Sequence, residues 1–160
     1  MQIGVTAPLT RRANMALEGN DVLVRVGFRN EALLCRLDTG ADNTVFYEPF
    51  NKRYPDLFTD SSRSHELKLG GISGARDIAA YKLASVDLEL AGRPVHLAVP
   101  NVLRQPITGN PEDNDLACNL GLDALKVFRS YTIDLKTLRL DLQDSHAGDP
   151  RAARTGHRGR

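Results

Sequence analysis

The sequence predicts an all-β chain with one short helix, its strands curled into a small closed barrel. Three observations carry this reading. Apolar and polar residues alternate with a period of two over residues 22–28, 86–90 and 95–99. Gly70, Gly71, Gly74 and Gly92 mark the turns that divide the later runs. One apolar set alone, Leu122, Leu125 and Phe128, falls on a helical face. Short alternating strands separated by such turns pack as a closed all-β layer.

Residues 1–19 read as a lead-in arm, in which residues 2–5 form either a strand at an interface or a disordered segment. Val22, Val24, Val26 and Phe28 then share one face of a strand, with Leu23, Arg25 and Gly27 on the other. Arg29 and Asn30 turn the chain, and residues 31–37 form a second strand that runs into Asp38. Residues 44–46 are the next strand. Residues 47–63 and 104–115 read as inserted surface loops, the second carrying Pro106, Gly109, Asn110 and Pro111. Residues 66–69 enter a hairpin and residues 75–90 leave it. Its tip, Leu69-Gly70-Gly71-Ile72-Ser73-Gly74, places three glycines in five residues, which permits positive φ and close backbone approach. Val86, Leu88 and Leu90 face one way, Asp87 and Glu89 the other. Residues 91–93 turn the chain, and Val95, Leu97 and Val99 return it. Gly121 ends a short apolar strand ahead of the helix. Leu138, Leu140 and Leu142 close the fold after a turn over residues 134–137. The domain is therefore expected over residues 20–142. Residues 143–160, rich in Arg, Gly, Ala and His, are expected to be a disordered basic tail.

Composition excludes several classes of function. A chain of 160 residues suits one domain with a real core. A net charge of +1 implies no polyelectrolyte partner. Tryptophan is absent and aromatics are sparse, which argues against a nucleic-acid stacking platform. No apolar run approaches a membrane span. Residues 1–19 lack the apolar core of a signal peptide, so the expected compartment is cytoplasmic by default, or periplasmic if a targeting segment has been removed. Cys35 and Cys118 have no metal-binding spacing. His65, His96, His146 and His157 give no legible nucleophile–His–acid arrangement.

The chemistry is concentrated in residues 37–46, Leu-Asp-Thr-Gly-Ala-Asp-Asn-Thr-Val-Phe. An isolated Asp-Thr-Gly is an ordinary turn sequence. Here it follows an apolar strand and precedes another. The glycine-rich tip at residues 69–74 and the Asn119-Leu120-Gly121-Leu122-Asp123 segment come after it. In order and approximate spacing these three features, with the closing stretch of residues 123–140, resemble the retropepsin-like aspartic proteases, and bacterial members in particular. The resemblance spans roughly residues 20–142.

That resemblance implies a homodimeric endopeptidase, because the chain has a single Asp-Thr-Gly and the mechanism needs two carboxylates. Asp38 from each copy would form the catalytic dyad. Thr39 would bond across the dimer to the other copy's loop, and Gly40 would allow the carboxylate to receive backbone N–H bonds and let substrate approach. Ala41 would keep the cleft floor small. Asp42 and Asn43 would hold the main chain of a peptide or protein substrate, and Gly70, Gly71 and Ile72 would cover it from above. Asp42 reads equally well as a turn-capping acid. Thr44 and Asp123 would hydrogen-bond, tying the loop to the helix. Val45, Ile72, Pro100 and Val102 are candidates for the apolar pockets. Neither a metal nor an organic cofactor is expected.

The chain also departs from the pattern. Where viral members carry an Arg after the final Gly, which pairs with the acid equivalent to Asp42 and braces the interface, this chain has Leu122. Position 119 is Asn where an apolar residue is usual. In this fold the strands bearing Cys35 and Cys118 run side by side, near enough for a disulfide, although buried free thiols are the favoured reading. The competing functions are a non-catalytic peptide-binding or dimerisation module on the same fold, and an unrelated β-barrel binding domain.

Overall fold

The computed structural model describes residues 13–58, 63–71, 74–107 and 115–144. The expectations for residues 2–5, for Ile72, for most of the 104–115 loop and for the tail beyond Asp144 lie outside these; Gln143 and Asp144, expected to begin that tail, end the last strand instead.

The chain is mostly β, as the alternation predicts. Strands β1 (Met15–Glu18), β2 (Asp21–Phe28) and β3 (Glu31–Leu37) form an antiparallel meander. Both residues of the β2–β3 turn have positive φ, 47° at Arg29 and 66° at Asn30. That twist matches a two-residue hairpin. β1 lies within the expected lead-in arm, so the sheet begins ahead of residue 20. It is fixed from behind by Asn14, whose Nδ2 donates to the Leu140 carbonyl at 2.8 Å while its Oδ1 accepts from the Leu140 N–H at 2.7 Å.

β4 (Val45–Phe46) is followed by helix α1 (Glu48–Arg53) and a 3₁₀ turn at Pro55–Leu57. This segment was expected to be a surface loop. It folds because Pro49 suits a helix's first turn, Glu48 complements its positive end, and Lys52 and Arg53 its negative end. Phe50 and Tyr54, four residues apart, face inward and are buried. The Phe50 ring lies 4.2 Å from Phe46 and 5.3 Å from Phe28, and Tyr54 packs edge-on against Phe28 at 4.8 Å. The described residues therefore hold two short helices rather than one.

β5 (Arg63–Gly71) and β6 (Gly74–Lys82) make the long glycine-tipped hairpin, in register from Arg63↔Lys82 to Gly71↔Gly74. β7 (Ser85–Leu90) and β8 (Arg93–Ala98) follow as a tight hairpin, then β9 (Asn101–Leu103). β10 (Cys118–Leu120) leads into helix α2 (Leu122–Leu125). β11 (Phe128–Asp134) and β12 (Arg139–Asp144) form a separate two-stranded sheet. Their turn is held by Asp134, which accepts from the Thr137 hydroxyl at 2.7 Å and from the N–H groups of Thr137 and Lys136. The Thr137 hydroxyl bond is the main reason its carboxyl is held below the usual range.

The main sheet runs β5-β6-β9-β4-β10-β3-β2-β7-β8, with β1 beside β2. It curls into a half-barrel. β5 and β8 stand at its two ends and do not pair with each other, so the expected closed barrel is not formed by the described strands. β10 threads between β3, to which it is parallel, and β4, to which it is antiparallel. The main core fills the curl with Val24, Val26, Phe46, Phe50, Leu90, Leu97 and Leu125, all nearly inaccessible. A second cluster, Leu23, Tyr47, Ile78, Ala80, Leu103 and Leu116, takes in Leu67 and Leu69 from the inner face of the long hairpin.

Cys35 and Cys118 stand directly opposite in the parallel pair, with Cα atoms 4.7 Å apart, and are joined by a disulfide. This corrects the reading of the pair as free thiols. Opposed residues of paired strands direct their side chains to the same face, so both thiols enter the same core.

Candidate active site

The Asp38 loop leaves β3 at the point where β10 passes beside it. The Asp38 N–H donates to the Leu120 carbonyl at 2.9 Å, which extends the β3–β10 pairing to the acid itself. Leu122 and Asp123 continue the match from the other side: their N–H groups donate to the carbonyls of Ala41 at 2.8 Å and Asp42 at 3.1 Å. The loop thus lies against the β10–α2 junction along its whole length. Gly121 is required there. A Cβ at this position would lie 2.6 Å from the Asn43 carbonyl carbon and 2.7 Å from its oxygen.

Beneath the loop, Thr44 and Asp123 form the expected bond and more. The Thr44 hydroxyl donates to Asp123 Oδ1 at 2.6 Å, and the Thr44 N–H reaches both carboxylate oxygens at 2.9 Å. The Gly121 N–H donates to the Thr44 hydroxyl oxygen at 3.0 Å, and the Ala124 N–H to Asp123 Oδ1 at 2.9 Å. Thr44 is only 1 % exposed, the one buried polar side chain among the described residues. A buried hydroxyl in such a place is stable because its donor and its acceptor are both used. Asp123 also ends the network at the first turn of α2, where its charge is favoured.

Above this base, Asp38 is half-buried while Thr39, Gly40, Asp42 and Asn43 are exposed and Ala41 is intermediate. The Gly40 N–H donates to Asp38 Oδ1 at 2.9 Å, and Asn119 Nδ2 donates to Asp38 Oδ2, also at 2.9 Å. Both carboxylate oxygens therefore have a donor from their own chain. The sequence marked Asn119 only as a departure from the usual apolar residue and did not single it out for this contact, although it is the one polar residue of a strand reading Cys-Asn-Leu. Nor did it single out Lys126, whose Nζ lies 3.7 Å from Asp42 Oδ1. Lys126 brings a cation to the acid that Leu122 leaves without one.

Gly70 and Gly71 close the far end of β5, on an element separate from the loop, and Ile72 lies outside the described residues. The hairpin and the loop are joined through shared packing. Val45, register partner of Asn119, lies against the cluster that also receives Leu67 and Leu69. Among the pocket candidates, Val45 is accessible in part, while Pro100 and Val102 are buried, Val102 in the main core. A shallow hollow of about 710 Å³ opens elsewhere, over Arg25, Phe28, Arg29, Glu31 and Glu89, and shares no residue with the loop. The described residues hold no group of three or more His, Cys, Asp or Glu fit for a metal ion, and no helix long and apolar enough to cross a membrane.

No family model matches this chain, and no curated protein does.

Proposed function

We propose that the chain is one half of a retropepsin-like aspartic endopeptidase, active as a homodimer. The observation that carries the reading is the Asp38 carboxylate. It is held at both oxygens, on a loop braced from below by Thr44 and Asp123 and open above. An acid fixed in this way and left accessible is suited to proton transfer rather than to packing.

In the dimer the two Asp38 carboxylates face each other across the two-fold axis. Like charges a few ångströms apart do not both ionise, so the pair shares one proton. The ionised member removes a proton from a trapped water. The protonated member donates a hydrogen bond to the scissile carbonyl. Water attacks as that member passes its proton to the carbonyl oxygen, and a gem-diol forms with no covalent enzyme intermediate; the C–N bond then breaks as the proton taken from water goes to the leaving amine and a gem-diol hydroxyl returns a proton to the other carboxylate. Thr39, exposed in one chain, bonds to the partner's loop. Asp42 and Asn43 hold the substrate main chain as an added strand, and the hairpin tip closes over it.

The test is cleavage of a mixed peptide pool at several pH values, wild type beside Asp38→Asn. Wild type cleaves, and the variant, folded to the same extent, loses at least about a thousandfold in rate. Equal activity in both removes the aspartic mechanism. Binding of peptides by a wild type that cleaves none of them assigns the fold to the non-catalytic peptide-binding module instead.

A further inference from the structure

We propose that Asn119 is a positioning residue for the Asp38 carboxylate, holding it in one plane for proton transfer. The inference rests on the aspartic-protease reading of Asp38 and adds to it a residue that reading does not require.

The geometry begins with β10. Cys118 and Leu120 point into the main core and are almost wholly buried, so Asn119 between them points to the opposite face, where Asp38 lies. Its backbone position is pinned on both sides. The Cys118–Cys35 disulfide precedes it, and the Leu120 carbonyl that accepts from the Asp38 N–H follows it. The Asn119 amide therefore meets Asp38 Oδ2 from a strand that cannot shift independently of the Asp38 backbone.

The Gly40 N–H anchors Oδ1 alone. A carboxylate held at one oxygen still turns about its Cβ–Cγ bond; a second donor at Oδ2 stops that rotation. Small errors of placement at a reacting group cost large factors in rate, so this restraint bears on catalysis directly.

The other end of the amide supports the same conclusion. Asn119 Oδ1 is buried and has no hydrogen-bond partner among the described residues. An unsatisfied buried acceptor weakens a fold, and an apolar side chain of similar size would avoid the cost. The asparagine is thus a poor choice for stability and a good one for the carboxylate. Its orphan acceptor has a use when Asp38 carries the proton: turned over, the amide accepts from the carboxylic O–H through Oδ1. One side chain thereby serves both protonation states of a group that alternates between them.

The experiment compares wild type, Asn119→Leu and Asp38→Asn, as full chains, on one peptide that wild type cleaves from the pool. Turnover and thermal unfolding are both measured. Asn119→Leu is expected to lose about tenfold or more in kcat with KM within about twofold, because only the reacting geometry is disturbed. Its unfolding midpoint is expected to equal or exceed that of wild type, because the orphan acceptor is gone. Asn119→Ala, which cannot overpack, is expected to show the same loss in kcat. An unchanged kcat in both variants overturns the proposal and leaves the protease reading intact. So does a loss of activity matched by a loss of stability, which marks a structural tie alone. A folded wild type that cleaves nothing overturns the protease reading itself.

Discussion

Thr44 shows how much of the site depends on single atoms. Its hydroxyl accepts from the Gly121 N–H and donates to Asp123, in a place closed to water. Thr44→Val keeps the shape and removes both bonds. It is expected to destabilise the chain by about 1–3 kcal/mol, since a buried N–H is left without a partner. Urea unfolding measures this. Lys126→Ala makes the contrast. Its pair with Asp42 is long and exposed, and removing it is expected to change stability by less than about 1 kcal/mol. The Thr44–Asp123 bond was legible in the sequence because both residues lie in the segments that carry the resemblance. The Asn119–Asp38 contact was not: an apolar residue is usual at position 119, so the pattern assigns that side chain no polar partner.

At the scale of elements, α1 carries more than its six residues suggest. Phe50 joins Phe46 of β4, Phe28 of β2 and Tyr54 in one aromatic cluster of tilted and edge-on rings. Phe50→Ala is expected to cost about 3–5 kcal/mol, the range for emptying a buried aromatic site. Tyr54 adds a pH dependence. Burial chiefly, and then its hydrogen bond to Glu31 Oε2 at 3.0 Å, raise its pKa above the usual tyrosine value. The neutral phenol is thus favoured by folding. Its contribution is fully present below the unfolded value of 10.0 and is lost as pH rises through the higher folded value. Wild type should therefore lose stability more steeply than Tyr54→Phe above about pH 10. The long strands were readable from alternation. This helix was not, because it is short and opens with proline inside a segment rich in loop-forming residues. The i, i+4 spacing of Phe50 and Tyr54 was the available signal.

For the whole molecule, the Cys35–Cys118 bond closes a loop of 83 residues in sequence and joins the strands on either side of the site. Replacing both cysteines by alanine should lower stability by roughly 2–4 kcal/mol. The order of elements and the all-β character were legible because each rests on local pattern and turn chemistry. Closure of the sheet was not, since it depends on which distant edges meet, and β5 and β8 remain apart. The proposed dimer is likewise beyond local pattern. It enters because one chain supplies one Asp38 and the proposed chemistry needs two.

That requirement has a direct test. Wild-type chain is mixed with increasing amounts of Asp38→Asn chain under conditions that allow subunit exchange, and peptide cleavage is followed at constant wild-type concentration. If each site is built from two copies, mixed dimers hold one carboxylate and are silent. An equal amount of variant then removes roughly half the activity, and a ninefold excess leaves about a tenth. Activity that is indifferent to the added chain, with exchange demonstrated by a label on the variant, contradicts the shared site.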